Sequence, residues 1–129
     1  MKSLKTIITL LVVFLLTATL FASEVPTTQR SMDMNLIEAN LLNNLDTDNR
    51  GLSISSVQML GEIKSNKAVI PLMRILKNSG DEAARISAAL SLYKIGDARG
   101  LYAVKQAAKF DNSQRVRNMT NKFYLESLK

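Results

Sequence analysis

The stretch LDTDNRGLSIS is the part of the sequence that most resembles a chemical site. Asp46 and Asp48 occupy positions 1 and 3 of a helix–loop–helix calcium motif, and Gly51 occupies position 6. Arg50, however, puts a cation at position 5, where the motif requires a ligand oxygen. Val57 stands at position 12, which should supply a bidentate carboxylate. The pattern therefore favours a turn between two helices over a metal site.

The composition removes most other catalytic chemistry. The chain has no histidine and no cysteine, so it lacks Cys–His and Ser–His–Asp catalysis and the usual zinc ligands. No disulfide can stabilise the fold, which must depend on its apolar core. Carboxylates, lysines and hydroxyl groups remain, but none has a diagnostic spacing. The sequence predicts a protein that is not an enzyme and binds no cofactor.

The N-terminal segment has the pattern of an export signal. Lys2 and Lys5 precede an apolar run over residues 7–22, and the small residues Ala22 and Ser23 lie near a plausible cleavage point. We interpret residues 1–23 as a signal peptide and residues 24–30 as a linker, which predicts a periplasmic or secreted protein. If the segment is not cleaved, it would anchor the protein in the inner membrane, although the apolar run is shorter than the roughly 20 residues that span a bilayer.

Charge is distributed unevenly along the chain. The formal net charge is +6, or +4 without Lys2 and Lys5. Acidic residues dominate residues 23–63, whereas basic residues dominate residues 98–129. This polarity could orient a partner or an anionic surface. Alternatively, it could only keep exposed helix faces soluble.

The sequence repeats with a period of 32 residues. Apolar residues recur in the same columns: Ile54 and Ile86, Leu60 and Leu92, Ile63 and Ile95, Val69 and Leu101, and Leu72 and Val104. Such self-similarity is the signature of a repeat architecture. Polar turns precede Asn49, Asp81 and Ser113, which share one column and are all favoured at helix N-caps.

Each repeat predicts two helices. Ile86, Ala89, Leu90 and Tyr93 lie at the i, i+3, i+4, i+7 spacing of one helix face. Residues 34–45 and 116–128 resemble single helices of incomplete repeats. The polar face of that last helix is typical of the end of a solenoid. We therefore expect residues 31–129 to form an all-α, short right-handed α-solenoid of antiparallel helix pairs, with about two full repeats and a half-repeat at each end.

Several motifs make the repeats similar to HEAT repeats, most closely the short bacterial type described in phycobilin lyases. They are Arg85 before an alanine-rich helix, the turn IGDA, and the helix opening AVIPL. The resemblance covers residues 49–117, although the first repeat has Ser53 in place of the arginine and KS in place of Gly-Asp. It implies a helical solenoid that binds or scaffolds other proteins, and it implies no particular activity.

Basic residues recur once per repeat and could form ladders on the surface. The pairs are Lys67 and Arg99, Lys77 and Lys109, and Arg85 and Arg117. A ladder would suit an acidic protein, a phospholipid head group or a polyanion. Alternatively, these side chains could complement helix dipoles or pair with Asp97 and Asp111.

Aromatic residues give a second candidate surface at the C-terminal end. Phe123 and Tyr124 coincide there with Arg115, Arg117 and Lys122, and aromatic residues with arginine are typical of interface anchors. Aromatic residues at helical spacing, including Tyr93 and Tyr102, belong to the core more often than to a binding site. The candidate partner-binding residues are Arg85, Arg99, Lys109, Arg115, Arg117, Lys122, Phe123 and Tyr124.

The sequence thus predicts an exported, non-catalytic module that binds or scaffolds a protein partner. One alternative is a membrane-associated module, and another is an accessory or regulatory subunit of an enzyme that binds through the basic C-terminal half. Self-association also remains open. Nucleic acid is disfavoured, because an exported protein rarely meets it and few aromatic residues are available to stack on bases.

Overall fold

The computed structural model describes residues 3–8 and 33–129. Residues 3–8 are helical and exposed. The rest of the predicted signal peptide and the predicted linker lie outside the described residues, so both stay predictions. Among the residues that are described, no helix is long and apolar enough to cross a membrane.

Residues 33–129 form only helices and turns. The six α-helices are α1 (Met34–Asn43), α2 (Arg50–Glu62), α3 (Val69–Asn78), α4 (Glu82–Ile95), α5 (Ala98–Phe110) and α6 (Gln114–Glu126). Short 3-10 turns at Asn44–Asp46 and Asn66–Ala68 extend the connections on either side of α2. These positions match the two helices per repeat and the single flanking helices that the sequence predicts, so the all-α expectation is confirmed.

The helices pack in two layers. Helices α2, α4 and α6 lie side by side in one layer, and α3 and α5 lie side by side in the other. Helix α4 is central, since it packs against α2, α3, α5 and α6, whereas α1 packs against α2. This arrangement is the predicted α-solenoid of two full repeats, α2–α3 and α4–α5, with half-repeats α1 and α6 at its ends.

The predicted column of N-caps is confirmed. The side chains of Asn49, Asp81 and Ser113 each accept a hydrogen bond from a backbone N–H group in the first turn of α2, α4 and α6. Asp97 caps α5 in the same way, directly after Gly96 ends α4 with a φ of 77°. Capping fixes where each helix begins, and Gly96 adopts a left-handed conformation that favours glycine.

The repeat columns supply the core between the two layers. The aliphatic side chains in this core that are almost fully buried are Val57, Leu60, Val69, Leu72, Leu92 and Val104. Both members of the Leu60 and Leu92 column and of the Leu72 and Val104 column are therefore core residues. Their spacing along each helix keeps one apolar face turned toward the neighbouring layer.

Helices α2 and α4 approach each other closely at a small-residue contact. The Ser91 hydroxyl on α4 donates a 2.8 Å hydrogen bond to the backbone oxygen of Val57 on α2. A Cβ atom added to Gly61 would lie 2.8 Å from the Ser91 Cα atom, closer than real Cβ atoms come to such a neighbour. Only glycine fits at position 61 without a shift of one helix against the other.

Candidate partner-binding surface

Arg85 is buried at a junction between repeats. The prediction that its side chain lies at the surface is therefore wrong. Its guanidinium makes two 3.0 Å hydrogen bonds to the Asp111 carboxylate. It also donates to the Ser79 backbone oxygen at 2.8 Å and to the Asn112 side chain at 3.1 Å. The Arg85 and Asp111 side chains are 7% and 8% exposed. Arg85 therefore holds together the turns that follow α3 and α5, and it presents no charge to a partner.

The same structural role recurs in this column of the repeat. Arg117 donates to the backbone oxygen of Asp111, which is the counterpart of the Arg85 bond to Ser79. In the first repeat the Ser53 hydroxyl donates to the Leu45 backbone oxygen at 3.0 Å. Each of these side chains ties the start of one helix to the turn before it. The sequence left open that basic residues pair with nearby carboxylates, and for Arg85 that alternative is correct.

Arg99 pairs with its neighbour Asp97. Its guanidinium makes two 3.0 Å hydrogen bonds to the Asp97 carboxylate, which also accepts from the Arg99 backbone N–H group. These bonds lower the pKa of Asp97 to about 2. Arg99 is more than half exposed, so this pair lies at the surface. In the same repeat column, Lys67 binds Glu38 at 2.7 Å and lowers the pKa of that carboxyl group.

Phe123 and Tyr124 are half-buried and pack against the core. The Phe123 ring stacks on Tyr93 with a centroid distance of 6.2 Å and an interplanar angle of 17°. The Lys105 ammonium group lies 5.4 Å from the centre of the Tyr124 ring. Both aromatic residues thus help to hold α6 on the solenoid. A further contact with a partner stays a prediction.

The exposed face of α6 carries unpaired positive charge. Arg115 and Lys122 are exposed and seven residues apart, which places them on the same side of the helix. Lys109 is exposed in the last turn of α5. Within the described residues, no ion pair or hydrogen bond involves any of these three side chains. These three members of the predicted set therefore have no internal partner in the described part of the chain, and their contact with a binding partner stays a prediction.

A groove between α3 and α5 was not predicted from the sequence. It encloses about 700 Å³, and apolar side chains dominate its lining. Ile70, Tyr102 and Phe110 border it with 57%, 62% and 76% of their surfaces exposed. The core alternative is therefore wrong for Tyr102, because the described helices leave its side of α5 uncovered. One sequence feature could have revealed the groove: Ile70 and Tyr102 occupy the same apolar column of the repeat, on the outer face of the second layer.

The α3 wall of the groove is positively charged. Arg74 and Lys77 line it from α3, and Asp111 is the one acidic residue among its described lining residues. The Asp111 carboxylate is already paired with Arg85. Asp46 comes only within 4.0 Å of Arg74, and both side chains are well exposed, so this pair contributes little. The groove thus combines exposed apolar residues with two cations that lack a strong internal partner.

The stretch LDTDNRGLSIS is a turn and a helix start in the structure. Arg50 donates two hydrogen bonds to the Asp81 carboxylate in the next repeat, and the one from Nη2 to Oδ1 is 3.2 Å long. Val57, at the position where a calcium motif needs its last carboxylate, is 1% exposed and belongs to the core. In residues 3–8 and 33–129 there is no group of three or more carboxylates positioned to hold a metal ion.

Comparison with known families gives a match over most of the solenoid. The sequence profile of a family described as HEAT repeats matches residues 38–121. The match begins within α1, includes all of α2 to α5, and ends within α6. It covers more than half of the chain. No curated protein matches the sequence.

Proposed function

Because the chain belongs to the HEAT-repeat family, we propose that it is a non-catalytic interaction module whose protein partner binds in the groove between α3 and α5. HEAT repeats generally mediate protein–protein interactions, and the family is typically non-catalytic. In a solenoid, one helix of each repeat contributes to a continuous surface on which a protein partner can bind.

The observation that supports this site is the exposure of large apolar side chains around one concave surface. Ile70, Tyr102 and Phe110 are each more than half exposed, yet they border a single groove. Clustered apolar surface of this kind marks interaction sites, whereas single exposed apolar residues do not. Tyrosine and phenylalanine also suit the centre of an interface, because they bury a large area with few rotatable bonds.

A partner pull-down with groove variants tests the site. The Tyr102→Ala and Phe110→Ala double variant should retain its fold, because both side chains are mostly exposed, and should lose the partner that the wild type retains. The matched control is the Leu125→Ala and Leu128→Ala double variant, which removes apolar residues near the C-terminus that are also more than half exposed. Loss of the partner in the control, with retention in the groove variant, would contradict the proposal.

We propose further that the protein acts outside the cytoplasm. The support is the sequence pattern of Lys2, Lys5 and the apolar run over residues 7–22. Mass spectrometry of the mature protein should find an N-terminus near residue 24. An intact N-terminus in the membrane fraction would instead support the anchored alternative.

The free cations of α6 favour a second candidate function, which is attachment to an anionic surface. Arg115 and Lys122 would contact lipid head groups or an acidic enzyme partner, as the basic C-terminal half suggests. Sedimentation with anionic vesicles should then capture the wild type, and the Arg115→Glu and Lys122→Glu double variant should stay in solution. Equal sedimentation of the two proteins would remove this candidate.

A further inference from the structure

We propose that the groove between α3 and α5 recognises an acidic amphipathic helix of the partner. This inference rests on the proposed function and adds the chemistry of the ligand. The α5 wall of the groove is mainly apolar, and we call it the apolar wall. The α3 wall, which we call the cationic wall, adds Arg74 and Lys77 to apolar residues such as Ile70. A ligand that fits both walls must carry an apolar stripe with carboxylates beside it.

The apolar wall fits the spacing of a helix. Tyr102 and Phe110 are eight residues apart on α5, which places them about 12 Å apart along the helix axis. Residues at i and i+7 of a bound helix are separated by about 10.5 Å, so one such pair can meet both rings. Between the two rings, Ala103 and Ala107 line the groove with small side chains. Small residues let the backbone of an added helix approach α5 closely.

The cationic wall selects the sign of the ligand charge. Arg74 and Lys77 are three residues apart on α3 and therefore project from one side of that helix. The Asp111 carboxylate is engaged by Arg85, and the contact of Arg74 with Asp46 is long and exposed. Carboxylates on the bound helix would pair with both cations, whereas lysines there would be repelled. Electrostatic complementarity of this kind sets partner choice more than the total affinity.

Two model peptides test the inference with the purified full-length protein. Each is a labelled amphipathic helix of about four turns with the same leucine stripe, and its flanking positions carry either glutamate or lysine. In fluorescence anisotropy at low salt, the glutamate peptide should bind at least about tenfold more tightly than the lysine peptide. The Arg74→Glu and Lys77→Glu double variant should reverse this preference. The Arg115→Glu and Lys122→Glu variant has the same charge change on α6 and should keep the wild-type preference.

The outcomes separate this inference from the proposed function. If both peptides bind equally and Phe110→Ala weakens both, the groove is a docking site but its preference for an acidic helix is refuted. If Phe110→Ala has no effect on binding, or if the glutamate peptide does not bind at all, the inference is refuted. The pull-down with the groove variants then decides the proposed function independently. Circular dichroism of each variant confirms that a loss of binding is not a loss of fold.

Discussion

Replacement of Arg85 by alanine should destabilise the domain strongly, because it leaves a buried carboxylate without its cation. Removal of one partner from a buried ion pair costs about 3–5 kcal/mol in general. Asp111 would keep a 2.8 Å hydrogen bond from the Ser113 backbone N–H group, and its side chain is 8% exposed rather than fully buried. We therefore expect the lower end of that range, about 3 kcal/mol. Domains of this size unfold with about 5–15 kcal/mol, so the variant should still fold.

Urea unfolding followed by circular dichroism measures this cost. The matched control is Arg99→Ala, which breaks an exposed arginine–aspartate pair and should cost no more than about 1 kcal/mol. In a double-mutant cycle, Arg85→Ala combined with Asp111→Ala should cost clearly less than the sum of the two single changes, because neither charge then remains buried alone.

A small effect would refute the structural role of Arg85. If Arg85→Ala costs no more than Arg99→Ala, the guanidinium does not hold the two turns together. If the variant also keeps its fold but loses its partner, Arg85 belongs to the binding surface, as the sequence suggested.

Three further changes test other parts of the fold. Gly61→Ala should destabilise the domain by about 1–3 kcal/mol, because the added Cβ would collide with Ser91. The control Gly51→Ala meets only ordinary contacts and should be neutral or stabilising. Thermal unfolding of both variants measures the difference. Asp81→Ala removes an N-cap and should cost about 1 kcal/mol in urea unfolding, and an unchanged stability would contradict the cap. The pKa of Asp97 falls to about 2 on folding, so its contribution to stability is present above about pH 4 and is lost as the pH falls toward 2. Between these pH values the melting temperature of wild type should therefore fall more steeply than that of Asp97→Asn, and parallel curves would refute the coupling.

Local chemistry made most of the fold predictable from the sequence. Leu60 and Leu92 mark the core because apolar periodicity is a property of each helix alone, and Asp81 marks a helix start because a cap acts within one turn. The burial of Arg85 depends on the packing of turns that are far apart in the chain. From the sequence, its pairing with a carboxylate was therefore only one alternative, and a basic ladder at the surface was the other. The core alternative fails for Tyr102 because spacing shows which residues share a helix face, but not whether another helix covers that face.

The resemblance to HEAT repeats predicted a binding module but not its surface. The sequence favoured the C-terminal end, where aromatic residues and cations are adjacent. In the structure, Phe123 and Tyr124 pack against the core, and the exposed aromatic residues with nearby cations lie in the groove between α3 and α5. Composition reveals which residue types could bind, whereas exposure after folding decides which of them are available.

Site-specific photo-crosslinking in the native host tests the central claim most directly. A photoreactive phenylalanine analogue replaces Tyr102 in the groove or, as the control, Leu125 on the exposed face of α6. Groove binding predicts one discrete crosslinked partner from the Tyr102 position, its loss on addition of Phe110→Ala, and little crosslinking from the Leu125 position. Crosslinking of the partner from the Leu125 position alone would contradict the claim and place the interface on α6.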